Sequence, residues 1–123
     1  MIVSIHWGAE YQSGASQLQK EIATQLAQAG AALIWGHHPH VLQSAEWIND
    51  GETLVLYSLG NALFDQYGLA DTRRSALALV RLDPNGVVDF NAIPFMIDVP
   101  NSRVVEADAT SEQVIMRYFK VVD

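Results

Sequence analysis

Two short apolar runs, Met1-Ile-Val-Ser-Ile5 and Ala32-Leu-Ile-Trp35, bracket an amphipathic stretch, and that order most constrains the fold. Both runs have the length and residue types of strands. Between them Leu18, Ile22 and Leu26 recur every four residues and Ala29 continues the stripe, which predicts a helix from about Gly14 to Ala29. Gln17, Lys20, Glu21, Gln25 and Gln28 fall on its outward side, and Gly30 stands where a left-handed residue closes a helix. Strand, helix and strand in this order form a βαβ unit, which implies parallel pairing through a right-handed crossover. The first run is expected to be buried on both faces.

The rest of the chain reads as further strands and one helix. Asn49-Asp-Gly51 is a strong turn signal ahead of a strand at Thr53-Leu-Val-Leu-Tyr57. Ser75 to Leu82 and Val87 to Ile97 form the arms of a predicted hairpin about the turn Asp83-Pro-Asn-Gly86, with Pro94 interrupting the second arm. Thr110-Ser-Glu-Gln113 resembles a capping box before a terminal helix whose apolar side is Val114, Ile115, Tyr118 and Phe119.

Composition narrows the function classes. The chain has 123 residues, half of them hydrophobic, which suits one domain with a modest core. Its net charge of −7 argues against a nucleic-acid partner, whose backbone demands clustered Lys and Arg. No apolar run approaches the ~18–20 residues that span a bilayer. The chain opens inside a predicted strand, so no secretory leader is read from it. With no cysteine, disulfides, thiolate metal sites and a cysteine nucleophile are excluded.

All four histidines fall in the first forty residues, each just past a predicted strand. His6 follows the first; His37, His38 and His40 follow the second, within Gly36-His-His-Pro-His40. Parallel strands end at the same sheet edge, where ligand-binding residues gather. Neutral imidazole is the commonest protein ligand for zinc, iron and related metals. A lone histidine would be read as part of a polar loop; a triple set beside glycine, with a fourth on the neighbouring strand, reads as a metal site.

Two carboxylates fall near this rim. Glu10 lies four residues beyond His6, suited either to orienting an imidazole or to a solvated loop. Asp65 follows Gly60-Asn61 after the third predicted strand and equally suits a turn or helix cap. Trp7, Trp35 and Trp47 read as packing residues. Ser58 lacks the Gly-x-Ser-x-Gly elbow of a nucleophile. Arg73 and Arg74 suit either an anionic ligand or exposed ion pairs.

Three ordered segments carry a family resemblance: His6-Trp-Gly-Ala-Glu10-Tyr11; Gly36-His-His-Pro-His-Val-Leu-Gln43 with Glu46; and Tyr57-Ser-Leu-Gly-Asn-Ala-Leu-Phe-Asp-Gln66. Together they resemble the CapA family, also called the capsule or poly-γ-glutamate synthesis protein family, over about residues 1–97. The fold of that family resembles the calcineurin-like metallophosphoesterases. The resemblance implies an α/β fold: a partial layered metallophosphoesterase-like sheet with an N-terminal βαβ unit, a C-terminal β-hairpin and a terminal helix. It also implies that residues 1–123 form a single, incomplete domain, the C-terminal half of the family domain.

In the wider metallophosphoesterase pattern, ligands come from Asp-x-His, Gly-Asp, Gly-Asn-His/Glu, a lone His and Gly-His-x-His. His6 matches the lone His, and His38 and His40 match the final His-x-His. The resemblance therefore implies catalytic and metal-binding roles for His6, His38 and His40. His37 is the alternative to His38, because the register of the triple-His loop leaves both open. Asn61 and Asp65 match a segment beside the site, and Glu10 is site-adjacent as well. The implied cofactor is a divalent metal, Mn, Zn or Fe.

The first three motifs are absent, and no aspartate is available to bridge two metals. Dinuclear sites hold ions ~3.5–4 Å apart, whereas three imidazoles suffice for one ion with an open position. The implied function is a share of a metal-dependent phosphoesterase-type site in capsule or poly-γ-glutamate synthesis at the cell envelope, acting on an anionic phosphate-type or polyglutamate-related substrate. The alternative is a non-catalytic truncated or assembly module whose histidines bind metal or serve structure alone. A halved sheet exposes an unpaired edge and an apolar face, so self-association or a complementary N-terminal half is expected.

Overall fold

A computed structural model of the chain describes residues 1–120; the last three positions of the predicted domain lie outside the described residues. The architecture is mixed α/β, with two sheets and two α-helices. The first sheet contains β1 (Ile2–His6), β2 (Leu33–His37), β3 (Leu42–Ile48) and β4 (Thr53–Leu59), in the order β1-β2-β4-β3. β1, β2 and β4 are parallel, and β3 runs antiparallel to β4. Helix α1 (Gln17–Gln28) makes the crossover from β1 to β2, so the βαβ unit forms as its sequence pattern implies.

The second sheet is β5 (Arg74–Asp83), β6 (Gly86–Asp98) and β7 (Arg103–Glu106), all antiparallel. Helix α2 (Ala109–Met116) packs against β6 and β5, and a short 3-10 turn, Arg117–Phe119, lies against β3. The main core lies between the sheets: Leu33, Leu54 and Leu56 meet Ala76 and Ala92, with Ile115 and Phe119 closing one side. A second cluster, Trp7, Ala23, Ala31, Ile34, Val55 and Tyr57, seats α1 on the first sheet.

Several sequence expectations are corrected. β1 is an edge strand, with Ile2, Ser4 and His6 exposed, because it pairs only with β2. Helix α1 turns its Gln19-Ala23-Ala27 face inward and leaves Leu18 64% exposed, so the leucine spacing misplaced the buried stripe by one residue. Its N-cap is Ser16, which forms a capping box with Gln19 and delays the helix start from Gly14. Gly30 does adopt the left-handed conformation, at φ 92°. Pro94 lies within a continuous β6, opposite Ala76 and one residue before the pairing of β6 with β7 begins at Phe95. Asp108, rather than Thr110, caps α2, accepting from the Ser111 N–H at 2.8 Å.

Candidate metal centre

Three parallel strands deliver their carboxyl ends to one edge of the first sheet. In the β1–β2 register His6 lies opposite His37, so two imidazoles start side by side. Past His6, Trp7 continues the pairing by donating its backbone N–H to His37 O at 3.1 Å. The Trp7 indole then turns inward, donates from Nε1 to Tyr57 O at 2.9 Å and stacks on the Tyr57 ring at 5.6 Å. Gly36 makes this approach possible: a Cβ there would lie 2.1 Å from Trp7 Nε1 and 2.2 Å from Tyr57 O. Thus the glycine before the triple-His loop is required by packing, not by its φ.

The loop after β1 bends back over the loop after β2. Tyr11, at φ 63°, donates its backbone N–H to Pro39 O at 2.8 Å. Behind it, buried Gln43 donates from Nε2 to Gln12 O at 2.8 Å and Gly14 O at 3.2 Å, while its Oε1 accepts from Gln19 Nε2 at 2.9 Å. This staple brings Glu10 to His40, with Glu10 Oε1 3.9 Å from His40 Nε2.

The four imidazoles converge. His6 Nδ1 and His37 Nδ1 are 3.2 Å apart, and the ring centroids of His6 and His38 are separated by 4.3 Å. The rings of His38 and His40 are 6.1 Å apart. Donor atoms of Glu10, His38 and His40 all lie within 4.8 Å of one another and can hold a metal ion. With metal–nitrogen bonds of ~2.0–2.1 Å, donors on one ion stand no more than ~4.2 Å apart, so modest side-chain rotation closes the set. The neutral-imidazole and carboxylate donors fit a divalent cation of the Zn, Mn or Fe kind. His37 is held below the ordinary imidazole range, first by burial and then by the neighbouring His6 and His38, which favours its neutral form.

Asn61 stands directly behind His40, with Oδ1 2.8 Å from His40 Nδ1. Asp65 is exposed and lines a shallow depression with Leu63, Phe64, Ile97, Val99 and Ser102. Tyr11 and Phe64 flank the His40 ring at centroid distances of 6.2 and 5.3 Å. Arg74 forms an exposed ion pair with Asp71, and Ser58 is buried. Tyr57 donates to Glu46 Oε2 at 3.1 Å; burial foremost, then the Glu46 charge and hydrogen bond, push its phenol up. The sequence underrated Glu10, whose place depends on a loop closure that strand spacing does not reveal; the four-residue separation from His6 was the available signal.

The model of the family described as bacterial capsule synthesis protein PGA_cap matches residues 1–66, a span holding every residue of this centre. The chain belongs to that family. It is 39% identical over 117 residues to the PGA biosynthesis protein CapA of Bacillus subtilis (strain 168), covering 95% of this chain and 30% of that protein. It is 37% identical over 120 residues to the capsule biosynthesis protein CapA of Bacillus anthracis, covering 98% of this chain and 28% of that one. The chain thus spans about 30% of the length of these curated relatives. Among the described residues, no helix of this PGA_cap member is long and apolar enough to cross a membrane.

Proposed function

We propose that this chain contributes the histidine-rich share of a divalent-metal site to a protein of capsule or poly-γ-glutamate synthesis. Glu10, His38 and His40 are the ligands of one ion, with His6 and His37 beside them. One observation carries the reading: donors from two loops thirty residues apart in sequence come within 4.8 Å at a parallel-sheet edge. A divalent ion bound there supplies Lewis-acid stabilisation and water activation at a phosphate or related ester. His6 is exposed beside His38 and can bind an anionic group of the substrate or carry a proton. Tyr11 and Phe64 shape the approach to His40. Asp65 stands at the margin of this site. The partner of the chain is a second copy or the portion of the relatives' length that it does not match.

Elemental analysis of the purified chain and titration with Mn²⁺ or Zn²⁺ test the site. Binding is expected in the wild type and is lost in His38→Ala/His40→Ala. Unchanged affinity in that variant overturns the reading.

A non-catalytic module is the second reading, and one observation favours it: Glu10 is the only carboxylate in the metal-compatible group among the described residues. The metal-loaded chain is assayed on phosphomonoester and phosphodiester substrates to separate the two. Turnover abolished by His40→Ala supports a catalytic share; binding without turnover supports the module.

A further inference from the structure

We propose that Asn61 is a positioning residue that locks His40 in its Nδ1–H tautomer, so that Nε2 is the nitrogen offered to a metal. Its purpose rests on the metal reading above; its geometry does not.

Asn61 is 7% exposed and lies two residues past the end of β4, after Gly60. Its amide nitrogen donates to Thr72 O at 3.0 Å and Gln66 Oε1 at 3.0 Å. Exchanging the amide oxygen and nitrogen would set Oδ1 against the Thr72 carbonyl, a main-chain acceptor that cannot reverse its role. The hydrogen-bond network therefore assigns the amide orientation. Gln66 in turn donates from Nε2 to Tyr11 Oη at 3.0 Å, linking this segment to the loop that carries Glu10.

With that orientation, Asn61 Oδ1 faces His40 Nδ1 at 2.8 Å. A carbonyl oxygen only accepts, so the ring nitrogen must donate. A neutral imidazole carries a single N–H, which leaves a free lone pair on Nε2. That atom faces Glu10 Oε1 at 3.9 Å, within the group of converging donors. A partner on the remote ring nitrogen is how proteins set the tautomer and orientation of a ligating histidine.

The backbone holds Asn61 firmly. Gly60 adopts φ 75°, and a Cβ there would lie 3.0 Å from both Arg74 O and Ser75 Oγ. Ser75 Oγ lies 2.5 Å from the carbonyl oxygens of both Leu59 and Asn61. Position 61 is thus fixed from β4, from the turn at Thr72 and from β5.

Two-bond ¹H–¹⁵N correlation spectra of the metal-free, ¹⁵N-labelled chain test this directly, with His40 assigned by the peaks lost in His40→Gln. The wild type is expected to show the Nδ1–H pattern. Asn61→Leu should move His40 to the Nε2–H form, whereas Asn61→Asp, which gives up the donations to Thr72 O and Gln66 Oε1 but still offers Nδ1 an acceptor, should keep Nδ1–H. Zn²⁺ affinity should fall ~10–100-fold in Asn61→Leu and change far less in Asn61→Asp. An Nε2–H wild type, or an Nδ1–H signature surviving in Asn61→Leu, overturns the inference. If Asn61→Leu does not fold, the wild-type and Asn61→Asp spectra still decide. Failure of the wild type to bind Zn²⁺ overturns the metal reading alone, because the tautomer is read without metal.

Discussion

His38 and His40 adopt φ values of 108° and 61°, a region that side chains other than glycine rarely occupy. Such a conformation costs of order 1–3 kcal/mol per residue and persists only where surrounding structure demands it. Here the demand is visible. Pro39 is buried between the two histidines, and its carbonyl accepts from Tyr11, itself at φ 63°. The strain turns both imidazoles toward Glu10 instead of letting the loop relax into solvent. It supplies a test separate from chemistry, because His38→Ala and His38→Gly both delete the ring and only glycine tolerates φ 108° without penalty. Glycine also loses more backbone freedom on folding, which offsets part of the gain. His38→Gly should therefore be more stable than His38→Ala by ~1 kcal/mol, read from urea unfolding midpoints. Equal midpoints would mean that the loop carries no strain at this position. The converging histidines were legible in the sequence because two strand ends in a βαβ unit share an edge. The backbone strain was not, since the residues occupying these positions are histidines rather than the glycine or asparagine that usually advertise positive φ.

At the scale of elements, sequence patterns located β1, α1, β2, β4 and the β5–β6 hairpin, because each carries enough periodicity or turn chemistry to be read locally. β3 was missed. Its sequence, Leu42-Gln-Ser-Ala-Glu-Trp-Ile48, alternates poorly, and fully buried Gln43 breaks the apolar rhythm. The Asn49-Asp-Gly51 turn implies a strand before it as well as after it. β7, with only four residues, has too little pattern to be seen. Helix α1 was misphased for a related reason. Gln19 occupies an inward position because its side chain both accepts from Ser16 N–H and donates to Gln43. A buried glutamine pair thus replaces apolar packing where the helix meets the loop between β1 and α1. Gln43→Leu should leave Gln19 Nε2 and the carbonyls of Gln12 and Gly14 without their partner. Gln19 Nε2 is the buried group among them, whereas Gln12 and Gly14 are exposed; an unsatisfied buried group costs ~1–3 kcal/mol, so a loss of at least ~1 kcal/mol is expected in chemical denaturation. Metal affinity should fall with it, because the released loop carries Glu10. A change under ~0.5 kcal/mol, the range of an ordinary surface substitution, would show that something else anchors the loop.

For the whole molecule, the two sheets cover each other incompletely. β1 lies at an edge of the first sheet and has no proline or lysine along Ile2–His6 to discourage a new strand. Next to it, Trp35 is 46% exposed, and the β5–β6 hairpin leaves Leu77 57% exposed. Trp35, Leu77, Leu56 and Phe95 line an open cleft of about 360 Å³ that reaches Gly36 and His37. Leu77 pairs across the hairpin with Ile93, also exposed, so the apolar surface extends beyond the cleft. Contiguous apolar surface of this kind marks association sites in soluble proteins, and a net charge of −7 opposes association only weakly at physiological salt. The isolated chain should therefore show concentration-dependent dimers in sedimentation velocity across ~1–100 µM, a range typical of modest interfaces. Leu77→Lys tests the surface rather than the core. Its side chain already meets solvent, so monomer stability should move by no more than ~0.5 kcal/mol. A lysine in the contact should weaken dimerisation at least ~10-fold, through buried charge and lost apolar area. A chain that stays monomeric throughout, or a Leu77→Lys variant that dimerises as well as the wild type, would show that this cleft is not where the molecule meets a second copy.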